Sequence, residues 1–420
     1  MIRFFGGKVL TLNNKFDITT DEVWVDKNKI VYVGPEKKGG KFEREINLNG
    51  NLLMPTFKNA HTHSAMTFGR SYNDDLPLDR WLNEKIFPIE AKLESEDIYH
   101  LSKLAFLEYL TSGTSACFDM YYFPESMARA SVDFGFRTVM CGAGNNFKES
   151  VEKLEEYYKT YNNYNELISY RLGFHAEYTT KREILEGISE LAQKYKAPVF
   201  THSSETKSEV EGCIERYGKT QTELFEEIGL WNWGGGGYHS VWLSDNDLQI
   251  YKKRGLWAII NAGSNSKLAS GICDVQKMSN MGINLAVGTD GPSSNNALDM
   301  FREMYLISVL QKLKYNDAAA MDANEILKAA TSGSAKCMGL TDCDCIAEGK
   351  LADLMIIDLE RPNMQPINNI TKNLVYSGSK DDVKMTMING KILYENGEFV
   401  NIDKEEIYAK AQEICNRLKN

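Results

Sequence analysis

Residues 181–205, KREILEGISELAQKYKAPVFTHSSE, place two kinds of periodicity side by side. The first part, 181–195, is amphipathic with helical spacing. The second, Pro198-Val199-Phe200-Thr201, is a short β-prone run that stops at His202, with Glu205 three residues further on. The same alternation extends in both directions along the chain. Strand-like runs at 51–54, 115–119, 137–141, 170–174, 198–201, 236–239, 256–260 and 284–287 are separated by helix-like runs that include 95–111, 150–161 and 246–254. Eight strands alternating with helices predict an α/β chain with a (β/α)8, TIM-like barrel. A doubly wound open sheet is the competing topology. No G-x-G-x-x-G follows the first strand, so no dinucleotide site is supported. The glycine run 234–237 lacks that spacing and reads as a flexible loop.

The two ends of the chain have a different texture. Val23-Trp24-Val25 and Ile30-Val31-Tyr32-Val33 flank a polar turn at 26–29, which predicts a hairpin. Near the other end, Leu354-Met355-Ile356-Ile357 is a short apolar run. Met385-Thr386-Met387-Ile388 meets Asn389-Gly390, and Ile392-Leu393-Tyr394 meets Asn396-Gly397. Asn-Gly is a strong hairpin signal, because both residues tolerate positive φ. The expectation is one small β-sandwich domain built from both ends, 1–54 and 349–420, around a hydrolase barrel at 55–348. A final helix at 404–418 closes the chain.

Composition narrows the function. The chain has 420 residues, 43% hydrophobic and 25% charged, the make-up of an ordinary globular protein. Its net charge of -10, from 58 acidic against 48 basic residues, argues against nucleic acid or an anionic membrane as partner. No apolar run has the length of a membrane span, and the first residues lack the apolar core of a signal peptide. A cytoplasmic setting is therefore expected, with the eight cysteines as reduced thiols. Cys343 and Cys345 form a lone C-x-C that no second pair completes, and the sequon at 369–371 has no meaning in such a compartment.

The histidines carry the chemistry. Five of the six, His61, His63, His175, His202 and His239, lie at or just past the C-terminal end of a strand-like run. That is where barrel active sites are built. The sixth, His100, falls in a helix-like run and reads as structural. In His61-Thr62-His63 the two imidazoles of an extended segment point to one side. Alone, H-x-H is a weak motif, and so is the H-x-x-E of His202 and Glu205. Asp290 ends the last strand in Val287-Gly288-Thr289-Asp290-Gly291, where a single Asp before Gly is usually a turn residue. Together these residues suit Zn²⁺, or Fe²⁺, with one position left open for water. Such an ion brings the pKa of water to about 7. Glu205, not a ligand, could take the proton and pass it on.

These pieces resemble the amidohydrolase superfamily, in its branch of methylthioadenosine/S-adenosylhomocysteine deaminases and triazine chlorohydrolases. The matching stretches are Met54-Pro55 with His61-Thr62-His63, Trp81 with Pro88-Ile89-Glu90, Thr201-His202-Ser203-Ser204-Glu205, His239-Ser240-Val241 and Gly288-Thr289-Asp290-Gly291. Ser264-Asn265-Ser266-Lys267-Leu268 is similar to the branch's S-N-x-K-L, and Gly349-Lys350-Leu351-Ala352-Asp353-Leu354 to its G-x-x-A-D-L. The match spans nearly the whole chain. It implies one divalent metal, Zn²⁺ foremost with Fe²⁺ as the other choice, held by His61, His63, His202 and Asp290. It implies that His239 orients the nucleophilic water or the tetrahedral intermediate. Glu205 would carry a proton to a ring nitrogen, and Asp290 would also act as base. No lysine ends the fourth strand, which favours a single ion over a bridged pair.

For the substrate, the resemblance implies Glu90 on the ribose hydroxyls, Trp81 lining the pocket, His175 near the purine or sugar, and Ser294 among the binding residues. Some positions depart from the branch. Val132 and Gly142 stand where arginines suited to an amino-acid carboxylate are expected. Ile260 falls within the branch's S-H-N-P, and Trp242 replaces a second histidine. A pocket more apolar than usual suits a 5′-deoxy or 5′-methylthio group, or a free heterocycle. The leading expectation is a hydrolytic deaminase of an adenine nucleoside. The alternative is a deaminase or chlorohydrolase of a free purine, pterin-like or triazine ring. A barrel that has lost its chemistry is disfavoured by the complete ligand set. A homo-oligomer is implied by resemblance alone, and the segments 68–81 and 263–274 are expected to cover the pocket.

Overall fold

The computed structural model describes residues 1–13, 16–72, 74–146 and 149–419. Eight parallel strands follow one another round a barrel: β1 Phe57–Thr62, β2 Thr114–Asp119, β3 Arg137–Cys141, β4 Ile168–Ala176, β5 Val199–Ser203, β6 Gly235–His239, β7 Trp257–Ile260 and β8 Asn284–Val287. Each pairs with the next in chain order. The last edge meets the first just past β8, where Asp290 N–H donates to His61 O at 3.0 Å. The interior is filled rather than open. Ala60, Phe118, Val139, Phe200, Tyr238, Ile259 and Ala286 form one buried cluster, as inward-pointing residues of a small barrel do.

Helices between the strands form the outer ring, and their ends are written locally. Arg182–Tyr195 buries Leu185, Ile188, Leu191 and Ala192 on one face. Val151–Tyr161 starts at Ser150, whose side chain accepts Lys153 N–H at 3.3 Å. Lys207–Tyr217 and Asp245–Arg254 each begin with a reciprocal capping box, Thr206 with Glu209 and Ser244 with Asp247.

Two strand assignments need correction. The run at 51–54 is not the first barrel strand. Leu52–Pro55 is buried in a separate seven-stranded sheet, antiparallel to Leu354–Ile357 and parallel to Lys8–Leu10. The barrel begins one strand later, at Phe57–Thr62, where the polar residues Lys58 and Asn59 hide it from an apolar count. Both are buried and bonded: Lys58 Nζ donates to Thr56 Oγ1 at 2.7 Å, and Asn59 Nδ2 to Thr289 Oγ1 at 2.7 Å. Nor is 234–237 a flexible loop. Gly235, Gly236 and Gly237 lie within β6, and their missing side chains let its neighbours close in. A Cβ at Gly235 would sit 1.9 Å from Val199 O, and one at Gly236 2.4 Å from Trp257 O.

The chain ends meet as their texture predicts. Glu22–Asp26 and Lys29–Gly34 form a hairpin in a four-stranded sheet, and Val383–Ile388, Lys391–Glu395 and Glu398–Phe399 form the two later hairpins. Asp353 ties this β region to the barrel floor. Its carboxylate accepts both arms of Arg137 at 3.1 Å, the Ser115 hydroxyl at 3.0 Å and Asn389 N–H at 2.8 Å. The closing helix Lys404–Lys419 lies on Ser95–Thr111 and buries Ile407, Ala411, Ile414 and Leu418. Among the described residues no helix is long and apolar enough to cross a membrane, and all eight cysteines are unpaired.

Candidate functional site

At the C-terminal rim of the barrel, His61 ends β1 and His63 follows it, while His202 lies in β5 and Asp290 just beyond β8. Their ligand atoms all lie within 4.8 Å of one another. Two tautomers are set by backbone carbonyls: His63 donates Nδ1–H to Met120 O and His202 donates Nδ1–H to His175 O, each at 2.6 Å. In the neutral rings both Nε2 atoms then carry lone pairs, and they face each other 3.4 Å apart. His61 is fully buried, stacked on the Tyr238 ring at 3.8 Å, and neither ring nitrogen has a hydrogen-bond partner. Asp290 Oδ1 lies 3.2 Å from His63 Nε2 and 3.5 Å from His61 Nε2. Converging lone pairs beside one carboxylate repel unless a cation lies between them. Three imidazoles and one carboxylate are the donor set of a divalent ion with an open position, so the residues fit the group.

Electrostatics set His61 and His63 apart. Burial pushes His61 down to about 3, leaving a neutral ring ready to ligate. Burial also opposes charge on His63, but the Asp290 carboxylate raises it to about 9. Asp290 stays ionised well below the usual carboxylate range, because His61 and His63 outweigh its burial. Two hydroxyls, Ser264 and Ser294, each donate to Asp290 Oδ2 at 2.6 Å, and Gly291 N–H to Oδ1 at 2.7 Å. Ser204, His239, Ser240 and Asp290 all have φ between 50° and 72°. That left-handed backbone is costly outside glycine and gathers at functional sites.

Glu205 follows β5 and is 7% exposed. Burial raises its pKa, and His239 opposes the rise. Its Oε2 lies 3.8 Å from His239 Nε2 and its Oε1 accepts the Ser270 hydroxyl at 3.2 Å. His239 donates Nδ1–H to Asn265 Oδ1 at 2.8 Å, which turns Nε2 toward the cavity. A carboxylate and an imidazole thus stand together at the rim beside the ligand cluster.

One cavity collects most of these side chains. Trp81, Glu90, His175 and Ser294 line it together with His63, His202, Glu205, His239 and Asp290. Tyr121, which sequence reasoning missed, donates Oη–H to Glu90 Oε1 at 2.7 Å. Ser294 faces the cavity, but its hydroxyl is spent on Asp290 rather than left free for a ligand. Segments 68–81 and 263–274 flank the mouth: Trp81 and Leu268 line the cavity, and Lys267 Nζ is bonded to Asp74. Asn73, inside the first segment, lies outside the described residues.

The departures resolve unevenly. Val132 does not line the cavity; it sits on the helix Pro124–Phe134, packed on the cluster of Phe106, Phe134 and Phe136. At Gly142 a Cβ would lie 2.7 Å from Leu154 Cδ2 and 2.9 Å from Gly173 O, so no side chain fits, and the cavity meets Ala143 instead. Ile260 is buried in β7. Trp242 donates Nε1–H to Ser270 O at 2.7 Å. Ser264, Asn265 and Ser270 also escaped sequence reasoning. The first two lie in the recognised S-N-x-K-L stretch, which was the available signal.

Comparison with known proteins agrees with this geometry. The family model described as "Amidohydrolase family" matches residues 52–393. The chain is 36% identical over 419 residues to the 5-methylthioadenosine/S-adenosylhomocysteine deaminase of Clostridium tetani (strain Massachusetts / E88), covering 98% of each chain. It is 37% identical over 410 residues to the protein of the same name from Pyrococcus furiosus, covering 96% of this chain and 97% of that one. Among solved structures, an adenosine deaminase from Xanthomonas campestris with bound zinc superposes with a TM-score of 0.95 at 30% identity, over 100% of this chain and 98% of that one. An atrazine chlorohydrolase from Arthrobacter aurescens TC1 superposes at 0.92 with 20% identity, over 99% and 100% of the two chains, a likeness of fold.

Proposed function

Since this chain belongs to the amidohydrolase family, we propose that it hydrolytically deaminates an adenine nucleoside of the 5′-methylthioadenosine, 5′-deoxyadenosine or adenosine type. The products are the inosine analogue and ammonia. The observation that carries this reading is that His63, His202 and Asp290 of the three-histidine, one-aspartate cluster open, with Glu205 and Glu90, into one cavity, with His61 buried beneath it. Water adds at C6, the C6–N bond breaks, and a C6=O bond replaces it. A divalent ion, Zn²⁺ by our proposal, would be held by His61, His63, His202 and Asp290 and would supply Lewis acidity and an ionised water near neutral pH.

The protein's own groups do the rest. Glu205 takes a proton from the attacking water and delivers it to N1, and then serves the departing amine. Its burial keeps its proton affinity above that of a free carboxylate, which suits a group that must both accept and give. His239, fixed by Asn265, presents Nε2 to the oxygen that becomes the carbonyl. Asp290 offers its carboxylate as base to the same water. Glu90, braced by Tyr121, accepts the ribose hydroxyls. Met66, Leu82, Ile86, Ala143 and Leu268 make the lining largely apolar, which favours a 5′-methylthio or 5′-deoxy group over a charged tail. We also propose a division into a catalytic barrel at 55–348 and a β unit at 1–54 and 349–420, a cytoplasmic setting, and a homo-oligomer that light scattering would count.

The test is ammonia release by Zn-loaded protein from adenosine, 5′-methylthioadenosine, 5′-deoxyadenosine, S-adenosylhomocysteine, adenine and guanine, with Glu205→Gln as the blank. Release from the nucleosides, with S-adenosylhomocysteine the poorest of them, supports the proposal. Release from the free bases alone overturns the ribose role of Glu90.

A further inference from the structure

The loops after β5, β6 and β7 are joined by hydrogen bonds that run through one unusual residue. Trp242 donates its backbone N–H to Ser204 O, next to Glu205, at 2.8 Å. Its indole Nε1–H donates to Ser270 O at 2.7 Å. Ser270 then donates its hydroxyl to Glu205 Oε1 at 3.2 Å. Trp242 therefore holds Ser270 through its side chain and Ser204, the residue before Glu205, through its backbone. Trp242 is 42% exposed, so burial alone does not account for a tryptophan here.

The surrounding chain is shaped for this contact. Ser270 is buried, and its own N–H donates to Asn265 O at 2.9 Å. Asn265 is the residue that also fixes His239. Gly271 has φ of 133°, and a Cβ there would lie 2.9 Å from Val241 Cγ1 and 3.2 Å from Trp242 Nε1. Only glycine lets the two loops approach this closely. With Oε1 held by Ser270, Oε2 is the oxygen that faces His239. A lone hydroxyl donor is enough to choose which oxygen points inward.

We propose that Ser270 and Trp242 are positioning residues for proton transfer by Glu205, with Trp242 setting the loop and Ser270 setting the carboxylate. This rests on the reading of Glu205 as the proton carrier. The roles differ from that of a ligand contact, because neither residue needs to touch substrate.

The experiment compares steady-state kinetics of Zn-loaded wild type, Ser270→Ala, Ser270→Thr, Trp242→Phe and the Ser270→Ala/Trp242→Phe double variant on the best substrate of the panel. Metal content and melting temperature are measured alongside. Ser270→Ala is expected to lower kcat about tenfold to thirtyfold with KM within twofold, the worth of one hydrogen bond to a charged group. Ser270→Thr, which keeps the hydroxyl, is expected to recover to within about threefold of wild type. Trp242→Phe is expected to lose about threefold to tenfold, and the double variant to be no worse than Ser270→Ala, since both act through one bond. Metal content and melting temperature stay at wild-type values. Wild-type kcat in Ser270→Ala, losses that multiply in the double variant, or failure of Ser270→Thr to recover would overturn the proposal. Glu205→Gln separates the two layers. If it keeps activity, the reading of Glu205 itself is wrong; if it is inactive while Ser270→Ala is normal, only the positioning role fails.

Discussion

Glu90 and Tyr121 decide whether the cavity reads a sugar. Tyr121 occupies one oxygen of the carboxylate at 2.7 Å and orients the other. Glu90→Gln puts a donor where an acceptor is needed. It is expected to raise KM about tenfold to a hundredfold for adenosine while leaving any turnover of free adenine unchanged. Equal losses on both substrates, read by steady-state kinetics, would place Glu90 off the sugar. On the metal side, Ser264 and Ser294 donate to the same oxygen of Asp290. Either alanine variant alone leaves one donor in place. The double variant leaves Oδ2 without its two hydroxyl donors and is expected to weaken Zn²⁺ binding about tenfold to a hundredfold in a chelator competition. The two kinds of residue differed in legibility. Histidines are scarce in this chain and stand at strand ends, so the candidate ligands, each weak alone, were legible as a set. Serines and asparagines are common, and those that matter become partners only when the loops after β7 and β8 fold over the rim. Val132 misled for the converse reason: its place in the chain is close to β3, but its helix faces away from the cavity.

Among the elements, β6 is the most demanding. Gly234→Ala meets no neighbour and pays only for its left-handed backbone, about 1 kcal/mol. Gly235→Ala would drive a Cβ to 1.9 Å from Val199 O and is expected to cost more than about 3 kcal/mol, seen as a much larger drop in melting temperature. Equal effects would refute the close approach of β5 and β6. This also explains why β6 was half read: glycines carry no β signal, yet the barrel requires them. In β1, Lys58 and Asn59 broke the apolar pattern and shifted the assignment one strand early. The remaining six strands each hold a short apolar or β-prone stretch, even where Arg171 and Gly173 interrupt β4, and were legible. The segment after β7 adds a pH effect. Glu303 is buried, accepts Gly263 N–H at 2.9 Å and Asn295 Nδ2–H at 2.7 Å, and is pushed up by burial to about 7. Its folded pKa lies above its unfolded one, so between about pH 4.5 and 7 the folded state binds the extra proton and stability falls as pH rises. Glu303→Gln does not titrate. The stability of wild type relative to this variant should therefore shrink by about 3 kcal/mol from pH 4 to pH 8, measured by urea unfolding. A constant difference would show that Glu303 is ionised throughout.

For the molecule as a whole, the metal centre and the junction with the β region sit at opposite ends of the barrel. The mouth gathers the C-terminal ends of the strands, whereas the floor gathers Lys58 and Arg137 from the starts of β1 and β3 around Asp353. Burial alone would raise the Asp353 pKa, but Arg137 and Lys58 hold it well below the usual carboxylate range. Its ionised form is therefore complete at neutral pH, and its contribution would fade only in strong acid. Asp353 also accepts the Asn389 N–H of the hairpin turn, so one carboxylate is shared by the barrel and the sheet built from the chain ends. Asp353→Ala leaves two buried cations unpaired and the turn without its acceptor. The expected loss is about 3–5 kcal/mol of unfolding free energy at pH 7, measured by urea titration followed through tryptophan fluorescence. Zn²⁺ affinity at the mouth should stay within twofold of wild type under native conditions. A stability loss under about 1 kcal/mol would mean that water or a rearranged Arg137 replaces the carboxylate. A parallel collapse of Zn²⁺ affinity would mean that the floor and the mouth are coupled through the strands, and that the β region shapes the active site as well as supporting it.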